Sequence, residues 1–125
     1  MTVAKVVDAS AIAALLFGEP ETDQIAARIR DSHLSAPALI EAELASVCWK
    51  KCRRDPQQAA LYVAAHALRG QLKIEHRDVD HDAVLQLALR TGLTVYDASY
   101  LLLAQIEGVE LITLDIRLAA AWRRH

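Results

Sequence analysis

Aromatic side chains are scarce in this chain, at 5% of 125 residues, and it holds only two cysteines, four glycines and three prolines. Cys48 and Cys52 stand four apart on a predicted helix with no second pair. That excludes a zinc knuckle and a disulfide framework and leaves two buried or half-buried thiols. Also missing is any run near the ~18 uninterrupted apolar residues of a membrane span. A secretory leader is not expected, because Asp8 falls where its apolar stretch would have to lie. The cytoplasm is the expected location. Nor is there a basic surplus: 14 Lys and Arg against 16 Asp and Glu give a net charge of −2. A protein that coats nucleic acid through bulk charge does not look like this, so any such contact must be local. Lys50, Lys51, Arg53 and Arg54 are candidates, as are Arg117, Arg123 and Arg124. Basic residues in the last turn of a helix also complement its dipole, which accounts for both groups without a substrate. With no Gly- or Ser-rich linker, repeat or low-complexity segment, residues 1–125 read as one domain.

Aliphatic residues fill the space. The hydrophobic fraction is 54% and the mean hydropathy +0.16, carried by Ala, Leu, Val and Ile. Such a composition suits helices packed on a buried sheet, with some surplus for an interface. Val3–Val7 reads as a buried strand and Ala9–Phe17 as a helix ended by Gly18. A second helix is expected from Pro20 to about Arg30, a strand at His33–Ala36, and a long helix from Pro37 to about Arg54. Asp55 and Pro56 cap and start a further helix that ends at Gly70, before a strand at Leu72–Glu75. Helices from Asp80 or His81 to Arg90 and over Asp97–Glu107, a strand at Val109–Leu114, and a helix at Ile116–Arg123 complete the pattern. Strands separated by helical crossovers imply a parallel sheet. The expected fold is a three-layer α/β/α sandwich with about four strands.

Four acids stand where apolar stretches stop or are interrupted: Asp8, Glu43, Asp97 and Asp115. Residues just past the carboxyl ends of parallel strands meet in one crevice, so acids distant in sequence can converge. Clustered carboxylates repel unless a cation neutralises them, and oxygen-only ligands select hard ions such as Mg²⁺ or Mn²⁺. The pattern points to metal-assisted phosphoester hydrolysis. Asp8, Asp97 and Asp115 have a competing explanation as helix N-caps. Glu43 has none. It lies mid-helix beside an apolar stripe, with Leu39, Ile40 and Val47 as neighbours, where an unpaired carboxylate is costly. Glu41 borders the opposite side of that stripe, so the helical wheel separates the two only weakly. No nucleophilic side chain is evident: there is no G-x-S-x-G elbow, and no His lies near the cysteines. His33, His66, His76, His81 and His125 lack ligand spacing and read as structural or surface residues. Trp49, Trp122 and Tyr62 could stack on RNA bases, although tryptophans more commonly serve cores or interfaces.

At these residues the chain resembles a known family. Val6-Val-Asp8-Ala-Ser10, Glu43, Tyr96-Asp97-Ala98-Ser-Tyr100-Leu-Leu-Leu-Ala104 and Leu111-Ile-Thr113-Leu-Asp115 are similar to the PIN-domain signature, most closely that of VapC-type toxins. The likeness runs in order along the whole chain. It implies that Asp8, Glu43, Asp97 and Asp115 bind Mg²⁺ or Mn²⁺ for RNA cleavage, and that Ser10 and Thr113 support them through hydroxyl hydrogen bonds. It also selects Glu43 over Glu41. Leu114 and Ile116 flank Asp115 where many members carry smaller or charged residues, which raises the alternative that Asp115 serves only a second ion. Implied partners are an RNA substrate, a cognate antitoxin and a second copy in a homodimer. An antitoxin's apolar segment would find a groove near Leu15, Leu16 and Phe17, residues that core packing explains equally well.

Two other readings compete. One is a PIN-domain nuclease that processes RNA without an antitoxin. The other is a catalytically idle binding module that uses the acids as helix caps, against which Glu43 stands. A phosphoacceptor domain is weaker, because the companion lysine and paired early acids are missing.

Overall fold

The structure, a computed structural model, describes residues 2–125. Strand β1 (Val3–Val7) leads through helices α1 (Ala9–Phe17) and α2 (Thr22–Ile29) to β2 (Ser32–Pro37). Helix α3 (Leu39–Arg54), a 3-10 turn at Pro56–Gln58, α4 (Ala59–Ala67) and a 3-10 stretch at Leu68–Leu72 then lead to β3 (Glu75–Arg77). Helices α5 (His81–Thr91) and α6 (Val95–Glu107), strand β4 (Glu110–Ile112) and helix α7 (Ile116–Arg124) follow.

All strand pairs are parallel, in the order β3-β2-β1-β4. The chain therefore steps from β1 outward to β3, then returns past β1 to place β4 on the other side. Crossovers in a parallel sheet are right-handed, so reversing direction moves the helices to the opposite face. Accordingly α1, α2, α3 and α4 pack among themselves on one face, while α6 crosses β1, β2 and β4 on the other with α5 and α7 beside it. This is the expected three-layer sandwich. Val6, Val7, Leu111 and Ile112 of the sheet and Ile12, Ile40, Leu44, Leu101 and Leu118 of the helices are all but fully buried. The point where strand order reverses lies between β1 and β4. Ligand crevices of open α/β sheets form there, at the carboxyl ends of the strands.

Several boundaries differ from the sequence expectation. Pro37 does not open α3; it ends β2, where its missing N–H costs no helix bond, and Leu39 begins the helix. Helix α2 starts at Thr22 rather than Pro20, because the Thr22 hydroxyl donates to the carbonyls of Ala14 and Glu19 and closes the turn first. The helix expected from Pro56 to Gly70 is broken into 3-10, α and 3-10 pieces. That pushes the third strand from Leu72–Glu75 to Glu75–Arg77, after the left-handed Lys73 (φ 53°). Asp97 is not an N-cap. Thr94 takes that position, its hydroxyl accepting from the Asp97 N–H at 3.1 Å.

Candidate active site

β1 delivers Asp8 to the reversal point, and the two oxygens of its carboxylate are heavily used. Oδ1 accepts from the Ser10 hydroxyl at 2.7 Å and from the Ala11 N–H at 3.0 Å, while Oδ2 accepts from the Thr113 hydroxyl. Asp8 is thus both the N-cap of α1 and a bridge to the end of β4, with only 4% of its surface exposed. A carboxylate offers about four lone-pair directions. Three are filled here, which leaves one on Oδ2 for another partner. Ser10 and Thr113 extend the network: their hydroxyls lie 3.3 Å apart, and they accept from the N–H groups of Leu114 and Asp115 respectively, each at 2.9 Å.

Glu43 enters from α3. Its Oε1 accepts from the hydroxyl of Tyr100 on α6, a side chain with 1% exposure. Asp97 sits in the first turn of α6 and is half-buried. Asp115 caps α7, its Oδ1 accepting from the Leu118 N–H at 2.9 Å.

The charges of these acids reach one another. Burial raises the pKa of Asp8, opposed by its three hydrogen bonds, and the charge of Asp97 raises it further. For Glu43, burial again dominates, Tyr100 opposes it, and the charges of Asp97 and Asp8 add to the rise. Asp97 is raised by burial and by Asp115, with Thr94 and the Arg117 guanidinium pulling the other way. The Tyr100 hydroxyl is pushed far above its ordinary value by burial, by its bond to Glu43 and by that residue's charge, so it stays a donor. The charges of Asp8, Asp97 and Asp115 thus each make a neighbouring acid harder to ionise.

Charge coupling links Asp8, Glu43 and Asp97 to one another and Asp115 to Asp97, and hydrogen bonds tie Ser10 and Thr113 to Asp8. Glu41 is elsewhere, paired with Arg69 at 3.2 Å and facing His76 at 3.8 Å. As the side chains lie, no three His, Cys, Asp or Glu among the described residues form a ready-made metal cage. The donor chemistry nevertheless fits a hard divalent cation. Every group is an oxygen, their mutual repulsion is the kind a cation relieves, and Asp8 retains an open lone pair in a buried setting.

Tyr100 has a role that sequence reasoning did not assign, and Arg117, a nucleic-acid contact candidate from the sequence, brings its charge beside Asp97. Tyr100 lies in the second turn of α6, on the buried face shared with Leu101 and Ala104, so its apolar spacing disguised it as core. Arg117 follows Asp115 by two residues, and its guanidinium donates to the Gly92 carbonyl at 3.0 Å.

Other candidates take structural positions. Lys51 pairs with Glu19 at 3.0 Å and lies over the rings of Phe17 and Tyr62, while Arg53 lies over the exposed Trp49. Phe17 meets Tyr62 edge-on, and Leu15, Leu16 and Phe17 pack against the core. Trp122 is half-buried against the same core. Cys48 is buried and Cys52 half-buried, both as free thiols. His33 pairs with Glu75 at 2.7 Å. Among the described residues no helix is long and apolar enough to cross a membrane.

Comparisons with known proteins bear on the family and the fold. The PIN domain profile matches residues 5–122. Ribonuclease VapC3 of Pyrobaculum aerophilum is 37% identical over 120 residues, covering 91% of each chain. Ribonuclease VapC9 of Mycobacterium tuberculosis is 33% identical over 114 residues, covering 91% of this chain and 87% of the relative. The crystal structure of PAE2754 from Pyrobaculum aerophilum superposes with a TM-score of 0.72 at 28% identity, over 96% of this chain and 86% of that one. The profile match over residues 5–122, with relatives 33% and 37% identical over 91% of the chain, places the chain in the PIN-domain family, within its VapC group.

Proposed function

We propose that residues 1–125 act as a single-domain, metal-dependent endoribonuclease, the toxin of a toxin–antitoxin pair, which hydrolyses RNA phosphodiester bonds in the cytoplasm. The observation that carries this reading is the buried Asp8 at the end of β1, coupled by charge to Asp97 and Glu43, with Asp115 in turn raising Asp97. The ribonuclease names of the relatives support the same conclusion.

Asp8, Glu43 and Asp97 would hold Mg²⁺ or Mn²⁺, and Asp115 would join them or serve a second ion. Such a cation supplies Lewis-acid charge at the phosphate and makes hydroxide available near neutral pH. The chain's own residues set the stage for it. Ser10 and Thr113 fix both oxygens of Asp8, so that its free lone pair points in one direction. Tyr100 holds Glu43 by one oxygen. Arg117 brings positive charge beside Asp97, where a phosphate would also benefit from it. Cys48 is buried on α3 and Cys52 donates to the Ala59 carbonyl, which leaves water as the nucleophile.

A cognate antitoxin and a second copy of the chain are the proposed protein partners. Exposed apolar side chains on α3 and α4, among them Trp49, Leu61 and Val63, support a protein-covered surface. The decisive experiment is cleavage of an RNA pool in Mn²⁺ by the purified protein beside Asp8→Asn and Asp97→Asn. Cleavage by the wild type alone is expected; equal cleavage by all three would remove the assigned site.

A further inference from the structure

A concavity of about 290 Å³ lies between α7 and the segment joining α5 to α6. Leu93, Ala120 and Ala121 give it an apolar floor, Ile116 forms an exposed apolar rim, and Arg117 and Arg124 bring two positive charges. Neither arginine lies within ion-pair distance of a carboxylate among the described residues. Arg117 is instead aimed by its bond to the Gly92 carbonyl. The concavity is anchored to the acids by chain connectivity. Ile116 and Arg117 follow Asp115 directly, and Leu93 precedes Thr94, whose hydroxyl fixes the first turn that carries Asp97.

A flat apolar floor flanked by unpaired guanidinium groups suits a nucleotide. The base gains by desolvation against the aliphatic floor, and the phosphate gains from bidentate donors. We propose that this concavity is a nucleotide subsite, which holds one nucleotide of single-stranded RNA next to the cut bond. The base lies against Leu93, Ile116 and Ala120, and the adjoining phosphate meets Arg117 and Arg124. This inference rests on the ribonuclease reading and adds to it a place where base preference is set.

The test measures binding apart from cleavage. Fluorescein-labelled single-stranded oligomers of each of the four bases are titrated by anisotropy against the Asp8→Asn protein, alone and with Arg124→Glu or Ala120→Trp added. Circular dichroism and gel filtration of each variant monitor fold and oligomeric state. Arg124→Glu is expected to weaken binding about tenfold for all four bases and to flatten its salt dependence, as loss of a phosphate contact does. Ala120→Trp fills the floor and is expected to change the ranking of the four bases, and to shift the cut positions when placed in the active protein. If wild-type protein cleaves RNA but both variants bind and cut as before, the subsite is overturned and the ribonuclease reading stands. If no RNA is cut but oligomer binding still responds to both substitutions, the subsite stands and the hydrolytic reading falls. Absence of RNA binding, or a change in oligomeric state as the sole effect, would overturn the subsite and assign the concavity to a protein contact.

Discussion

Neutralising one member of the acid group separates repulsion from ligation. Asp97→Asn removes a charge that burial and Asp115 both oppose. The metal-free variant should therefore melt a few degrees above the wild type, while the gain in Tm on adding Mn²⁺ shrinks and RNA cleavage drops by about a hundredfold or more. Calorimetry with and without the ion reads all but the last. Tyr100→Phe is the complementary change. It keeps the ring in the core and deletes the donor to Glu43, so the fold should survive with a loss of about 1 kcal/mol. Mn²⁺ affinity should fall by about tenfold, the usual cost of losing a group that orients a ligand. An unchanged affinity by isothermal titration would reduce Tyr100 to packing. In the sequence, Glu43 was readable because a carboxylate amid Leu39, Ile40 and Val47 needs a reason. The role of Tyr100 was not, since nothing in a helical spacing tells which neighbour a buried hydroxyl will find 57 residues away.

Helix starts hold Asp8, Asp97 and Asp115 in place, and their chemistry explains both what is legible and what is misread. Asp8 and Asp115 cap α1 and α7 as well as facing the crevice, so capping and site membership are not alternatives there. At α6 the two roles are divided: Thr94 caps, and the Asp97 carboxylate is freed from that duty in the first turn. Thr94→Ala is expected to cost about 1 kcal/mol of stability, the ordinary loss of a cap. It should also weaken Mn²⁺ binding several-fold by loosening Asp97; a loss of Tm without any change in ion affinity would show the cap to be structural only. Of the strands, β1 is the one legible from a β-branched run, Val3–Val7. Their ends slipped where the local signal was ambiguous, as at Pro37, which suits a strand's end and a helix's first turn almost equally.

For the whole molecule, the acids make stability depend on pH with a definite sign. Asp8, Glu43 and Asp97 have folded pKa values raised above their ordinary values, so the native state binds more protons than the unfolded chain. Their contribution is full below the ordinary carboxylate range and is lost as pH rises through the raised values. In metal-free protein, the Tm advantage of Asp97→Asn over wild type should accordingly close as pH falls from about 7.5 to about 4. The stabilisation by Mn²⁺ should grow in the opposite direction, because the ion competes with protons for the same oxygens. Scanning fluorimetry across that range, with and without the ion, checks both slopes. The strand order itself was not legible. Alternating elements specify a parallel sheet, but only the placement of β4 beside β1 decides where the reversal falls and thus why these acids meet.

The bond from Thr113 to Asp8 spans 105 residues of chain. A ribosome must therefore translate β4 before the first strand's carboxylate gains its second support, and until then β1 has no neighbour on that side. On the ribonuclease reading, a nascent chain that stops short of Thr113 would present Asp8 without that support.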